Sequence, residues 1–521
     1  MFIKIVLLAV FVIVTIGVGL YFRKHAADVG SFVLGGRAVG PWLTAFAYGT
    51  SYFSAVIFVG YAGQFGWRFG ISAVWIGLGN ALLGSLLAWV VLGRRTRVMT
   101  HHLGSATMPE FFGARFGSKR LKVTASAIIF IFLIPYTASL YNGLSRLFEM
   151  AFGVDFVYCI AVMAILTAVY VIAGGYVATA VNDFIQGIIM LFGIVAVIAA
   201  VLSKNGGFIG SLDALAGVEG QTPGVFASFF GPDPLNLLGV VILTSLGTWG
   251  LPQMVQKFYA IKSEEAVRKG TVISTFFAVV VAGGCYFLGG FGRLFSNVVE
   301  YRTDGGVIYD SIVPNMLSGF SDLLIGVVIV LVLSASISTL SALVMASAST
   351  LTLDFLKGNI IKKMDEKKQV LMIRLLVAVF VLVSSAIAIL QYKQNVVFIA
   401  QLMGISWGAL AGSFLAPFLY GLYWKRVSRA SVWCCMVFGS LFMTVNLLTN
   451  PALGVLPATI FPEILRSPIN AGAFTMLFGL ILVPVVSILT PAPGRELVDR
   501  CFSCYEETVT VPARESLGEN V

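Results

Sequence analysis

Runs of about 20 or more apolar residues, thirteen of them, divide this chain and constrain its fold more than any other feature. They fall at about 3–22, 39–64, 70–93, 123–152, 156–175, 184–203, 236–259, 271–292, 322–352, 374–391, 396–424, 430–449 and 470–490. A helix needs about 20 residues to cross a hydrocarbon core of ~30 Å. In lipid, every backbone polar group must find its partner inside the protein. The expected fold is therefore an all-α polytopic membrane protein with about 13 transmembrane helices. Only 11% of the 521 residues are charged and 58% are hydrophobic, a balance outside the range of soluble domains. Residues 3–22 read as a retained first helix rather than a signal peptide, because no small-residue cleavage site follows.

The net charge of +10 is orientation chemistry, not a nucleic-acid footprint, because the basic residues sit in short loops between apolar runs. With the N-terminus outside, the inside loops and tail hold roughly 26 Lys and Arg and the outside segments roughly 7. "RRTR" (94–97), "KRLK" (119–122), "IIKKMDEKK" (360–368) and "KRVSR" (425–429) all fall inside. The N-terminus is expected outside and the C-terminus inside.

Two spans are interrupted in a matching way. "YGTSYFSAVIFVG" (48–60) sets Gly49, Thr50, Ser51, Tyr52 and Ser54 together inside the second span. "TSLGTWGLPQ" (244–253) puts Gly247, Gly250 and Pro252 in the seventh. Polar groups and helix breakers at bilayer depth are tolerated where they line a cavity. Paired broken helices in corresponding positions point to an inverted-repeat transporter with its site near mid-membrane.

The ninth span contains "LVLSASISTLSALVMASAST" (331–350), dense in Ser and Thr. Most of these hydroxyls can bond their own helix's carbonyls. Ser338 and Thr339 stand three and four residues past Ala335, which places both hydroxyls above that carbonyl on one face. Small hard cations take several oxygen ligands, and the same preference extends to Na+. Unwound backbone in the second span would add the carbonyls of Thr50 and Phe53.

At this point a resemblance becomes specific. "LGGRAVGPWLTAFAYGTSYFSA" (34–55), "AGGYVATAVNDFIQG" (173–187), "LPQMVQKFYA" (251–260) and "SASISTLS" (334–341) together resemble the sodium:solute symporter family, in the family's order and over nearly the whole chain. The resemblance is nearest to the bacterial Na+/proline branch. It implies a LeuT-like five-plus-five inverted repeat. Residues 1–38 would form an extra helix and cytoplasmic loop, and 39–203 the first repeat. Residues 204–235 would be an extracytoplasmic loop, and 236–424 the second repeat. Two further helices (425–490) and a cytoplasmic tail (491–521) would complete the chain. The family's sodium site falls on Thr50, Phe53, Ala335, Ser338 and Thr339. Asp183 matches an acidic residue associated with sodium release toward the cytoplasm; it also suits an N-cap for the sixth span.

By the same resemblance the solute would lie between the broken helices, against Tyr52, Val56, Tyr136, Ser245, Thr248 and Trp249. Trp249, between Gly247 and Gly250, could stack over a solute and serve as an inner gate. Proline symporters carry an aspartate at the position of Tyr52 and tryptophans at those of Val56 and Thr244, so this pocket departs from theirs. "AVIFVG" (55–60) lacks the polar row needed to satisfy a sugar's hydroxyls. An amino acid such as proline, or a short monocarboxylate, is the expected solute, with Na+ as coupling ion.

The implied function is Na+-coupled symport by alternating access in a bacterial or archaeal plasma membrane. The alternative is a membrane-embedded solute sensor with the same fold, although a tail of roughly 30 residues is too short for a kinase domain. No enzyme is expected: "MTHHLG" (99–104) is the one candidate, and it has no matched acid. Cys159, Cys285, Cys434 and Cys435 read as small apolar residues, while "CFSC" (501–504) is a weak metal or redox signal whose role stays open. The expected partners are the solute, Na+ and the bilayer, with no nucleic acid and no obligatory protein.

Overall fold

The structure, a computed structural model, describes residues 2–22, 28–220, 222–301, 305–394, 399–451, 453 and 455–506. His25, the first residues of the span placed at 396 and the tail beyond 506 lie outside the described residues.

The apolar runs become helices: α1 (Phe2–Tyr21), α2 (Pro41–Tyr52), α3 (Val56–His102), α4 (Lys119–Phe152) and α5 (Phe156–Ser203). Then come α6 (Pro234–Gly250), α7 (Pro252–Ala260), α8 (Glu264–Gly289) and α9 (Asp322–Leu356). The series closes with α10 (Glu366–Gln394), α11 (Ile399–Tyr423), α12 (Arg429–Leu448), α13 (Pro468–Leu489) and α14 (Arg495–Phe502). Short polar side chains in the loops start them. Ser118, Asp155, Asp233, Ser263, Ser321 and Ser428 each accept a hydrogen bond from a backbone N–H of the first turn that follows.

Ten described helices are long and apolar enough to cross a membrane, or eleven if α6 and α7, bent by 45°, form one span. The difference from thirteen arises at two places. The second expected span is split, because α2 is only 12 residues long and the remainder runs on into α3. Within α3, Gly70 (φ 65°) turns the chain; a Cβ there would stand 2.1 Å from the Phe226 carbonyl oxygen, so the close approach requires glycine. The fifth expected span is the short apolar stretch Phe156–Val169, joined to the sixth through Gly175 (φ 61°, ψ −165°).

α9 and α11 form the centre, with 83% and 94% of their apolar stretches buried. α9 lies against α1, α2, α4, α5 and α10, and α11 against α4, α6, α12 and α13. Phe192, Val162, Leu382 and Ile481 point outward as a lipid-facing surface.

The charged loops sort to two ends. At one, Arg37 donates to the carbonyls of Thr100 and Ser105, and Arg97 to those of Ile261 and Lys262. Arg115 bonds Gly421 and Trp424 there, Lys119 bonds Gly358, and Arg429 bonds Phe116 and Gly117. His102, from the "HH" pair, meets the Arg500 carbonyl of α14 at this same end. Burial pulls the Arg115 guanidinium down to about 10. The other end carries Lys4–Asp322 (3.0 Å), Lys204 on Gly319 and Arg293 on Trp67. Arg146 and Glu149 form an i,i+3 pair at 3.8 Å.

Candidate ion and solute site

The first broken helix supplies oxygens. α2 stops at Tyr52, and Phe53 is extended (φ −86°, ψ 124°). Helical hydrogen bonding would cap the Thr50 carbonyl with the N–H of Ser54, but Ser54 lies in the break. The Phe53 carbonyl would take the N–H of Ile57, which bonds Ser54 instead at 3.0 Å. Gly143 of α4 backs the break closely, since a Cβ there would stand 3.2 Å from the Ala55 carbonyl oxygen.

α9 meets those carbonyls with its hydroxyls. Thr339 Oγ1 lies 3.1 Å from the Thr50 oxygen, 3.2 Å from that of Phe53 and 3.0 Å from that of Ala335. Ser338 donates to Thr50 Oγ1 at 2.7 Å, and Thr50 donates on to the Phe46 carbonyl at 2.8 Å. All five residues of the expected ion site are brought together and wholly buried. A hydroxyl carries one proton, so Thr339 cannot satisfy three carbonyls at once. Lone pairs exceed protons, and a compact cation fits such a set.

Asp183 is not an N-cap. The helix breaks at Gly175, leaving Asp183 well inside α5 and wholly buried. Its Oδ2 stands 3.8 Å from Lys257 Nζ of α7, and the Ser338 side chain is close enough to interact.

The expected solute residues separate into two groups. The rings of Tyr52 and Tyr136 both pack on Trp407 of α11, with centroids 6.0 and 5.8 Å away. Ser245, Thr248 and Trp249 of α6 gather on α3: Ser245 on Asn80 (3.2 Å), Thr248 on the Gly84 carbonyl (2.9 Å) and Trp249 Nε1 on the Leu83 carbonyl (2.9 Å). Val56 is buried just beyond the break.

Asn80, Tyr286 and Trp407 were not expected from the sequence. Asn80 interacts with the hydroxyls of Tyr52 and Tyr286, and Tyr136 with Ser54 and Trp407. The Tyr52, Tyr136 and Tyr286 hydroxyls, Ser54 Oγ, Asn80 Nδ2 and Trp407 Nε1 are all buried without a well-formed hydrogen bond. Buried polar groups are ordinarily satisfied. A cluster of unsatisfied ones beside a helix break can serve a polar guest.

Broken helices, freed carbonyl oxygens met by buried hydroxyls and an uncharged polar cluster beside the break define a secondary transporter of small solutes. Its lineage is equally clear, because the sequence model of the sodium:solute symporter family matches residues 32–439, and the chain belongs to that family. The sodium/proline symporters of Staphylococcus aureus strains JH9 and NCTC 8325 are each 32% identical over 450 residues, covering 84% of this chain and 85% of theirs. Among solved structures, a Na+-coupled sialic acid symporter in its substrate-bound outward-open state superposes with a TM-score of 0.73 at 17% identity, covering 95% of this chain and 99% of that one. The nucleobase-cation-symport-1 transporter MHP1 in its closed conformation gives 0.50 at 15% identity, over 90% and 97%. The fold is the LeuT fold, in a multi-pass membrane protein that couples solute transport to Na+.

Proposed function

We propose that this chain carries a small amino acid such as proline, or a short monocarboxylate, inward with Na+ bound by Thr50, Phe53, Ala335, Ser338 and Thr339. The observation that carries this reading is the Thr339 hydroxyl within 3.2 Å of three carbonyl oxygens. The repeats would be 39–203 and 236–424. The end holding the basic loops would face the cytoplasm, with the N-terminus outside, as loop charge favours. Proline enters through the names of the 32%-identical relatives. The cluster of Tyr52, Asn80, Tyr136, Tyr286 and Trp407 has no charged side chain, which favours a zwitterion such as proline over a monocarboxylate. Val56, Ser245, Thr248 and Trp249 would complete its walls, and Asp183 would receive the ion on its way in.

Coupling requires no covalent chemistry. Sodium favours the arrangement in which α2 and α9 share it, and the membrane potential adds ~2.3 kcal/mol per charge per 100 mV. The test is radiolabelled proline uptake into proteoliposomes under an inward Na+ gradient and an equal K+ gradient. Accumulation with Na+ alone is expected. No uptake in either salt would retire proline, and equal uptake in both would overturn the ion site.

A further inference from the structure

Lys257 lies deep in the protein, and nothing in the transport scheme above uses it. It is 4% exposed, on α7, a helix that begins at the break after Leu251 rather than at a membrane surface. An ammonium at that depth is expensive unless it is partnered. Its carboxylate partner is Asp183, at 3.8 Å, a separation beyond a good charge-assisted hydrogen bond. Neither Asp183 oxygen holds a well-formed hydrogen bond. The Ser338 hydroxyl, close enough to interact with Asp183, is shared with Thr50 Oγ1 at 2.7 Å. The Tyr176 ring lies 5.2 Å from the ammonium, and that contact leaves the carboxylate unaddressed.

The pair is therefore loose, buried and beside a residue of the proposed ion cage. A cation arriving at Ser338 meets a carboxylate already neutralised, but only weakly held. We propose that Lys257 is the resident counter-cation of Asp183: it opposes Na+ at the adjacent cage, keeps sodium affinity low enough for release, and takes Asp183 back when the ion leaves. This inference rests on the sodium site proposed above.

Simple electrostatics give the signature. With both charges present, the neighbourhood of the cage is neutral. Lys257→Gln leaves a net negative charge beside it, Asp183→Asn a net positive one, and the double variant restores neutrality. The full-length protein, purified in detergent, is assayed for equilibrium binding of radioactive Na+. Binding about tenfold tighter in Lys257→Gln, about tenfold weaker in Asp183→Asn, and within about threefold of the parent in the double variant is expected. Lys257→Gln should also release preloaded Na+ more slowly in proteoliposome efflux. Should Lys257→Gln fail to fold, the neutral double variant must still bind tighter than Asp183→Asn. Unchanged or weaker binding in Lys257→Gln, or a double variant as weak as Asp183→Asn, overturns the role of the lysine. A parent protein that binds no Na+, with Ser338→Ala indistinguishable from it, overturns the ion site itself and this inference with it.

Discussion

Replacing Thr339 by valine removes one oxygen from the proposed cage while keeping the side chain's shape. In the parent, that hydroxyl stands 3.0–3.2 Å from the carbonyl oxygens of Ala335, Thr50 and Phe53. It is one of five ion ligands, and an interaction of this kind with a charged group contributes ~1.5–3 kcal/mol. At ~1.4 kcal/mol per factor of ten, ~2.1 kcal/mol, near the middle of that range, is roughly a thirtyfold loss of sodium affinity. The assay is thermal unfolding of the purified protein with and without Na+. A ligand at about 100 times its Kd stabilises the native state by ~2.7 kcal/mol. At thirtyfold weaker affinity, the same Na+ concentration is about three times Kd, and the stabilisation falls to ~0.9 kcal/mol. The half-saturating Na+ concentration for uptake should rise in step. A half-saturating concentration within about twofold of the parent, in protein of normal abundance in the membrane, would refute the cage.

Four further outcomes are expected. Gly49→Ala would put a Cβ 2.4 Å from Phe277 Cδ1, and should destabilise by ~1–3 kcal/mol unless Phe277 is shortened to leucine, read as the unfolding temperature of the pair. Lys122→Met strips Asp354, wholly buried, of an ammonium 3.1 Å away; a loss of ~3–5 kcal/mol is expected, recovered largely by adding Asp354→Asn. Trp407→Phe keeps a ring against Tyr52 and Tyr136 but removes the indole N–H, and should raise half-saturating solute about tenfold with sodium binding unchanged. A cysteine at Arg97 should react with a membrane-impermeant maleimide only from the cytoplasm, and one at Ser318 only from outside; the reverse would invert the topology.

The segments of the proposed ion site could be picked out because their signals are local. Ala335, Ser338 and Thr339 obey helical spacing within five residues, and the polar run at 49–54 marks the break that frees the other two carbonyls. What the spacing left open was whether the two segments touch, and the Thr339 contacts show that they do. Trp407, Asn80 and Tyr286 escaped notice because an isolated aromatic or amide in an apolar run reads as packing; only the fold places them around Tyr52. Lys257 escaped for a geometric reason. Five residues past Pro252, it reads as the end of a span, where a lysine can snorkel to water. α7 begins inside the protein, so that position is buried instead. Of the two readings of Asp183, the N-cap fails because the chain remains helical there and the break is Gly175.

On the proposed sites, the break after α2 would let one ion govern a solute it never touches. Four of the five residues from Thr50 to Ser54 would serve both partners. The Thr50 and Phe53 carbonyls face Thr339, while the Tyr52 ring packs on Trp407 and Ser54 neighbours Tyr136. The two faces meet at the end of α2 and the short break that follows it, so that stretch cannot be fixed on one face and left free on the other. Ordering it with Na+ meets beforehand part of the conformational entropy that would otherwise oppose solute binding. The coupling must be reciprocal, so saturating solute should tighten Na+ binding by the same factor by which Na+ tightens the solute. Thr339→Val should then weaken solute binding measured at fixed, subsaturating Na+, although Thr339 has no place in the solute cluster. At saturating Na+ that deficit should disappear, as it would not if the valine had damaged the solute pocket directly.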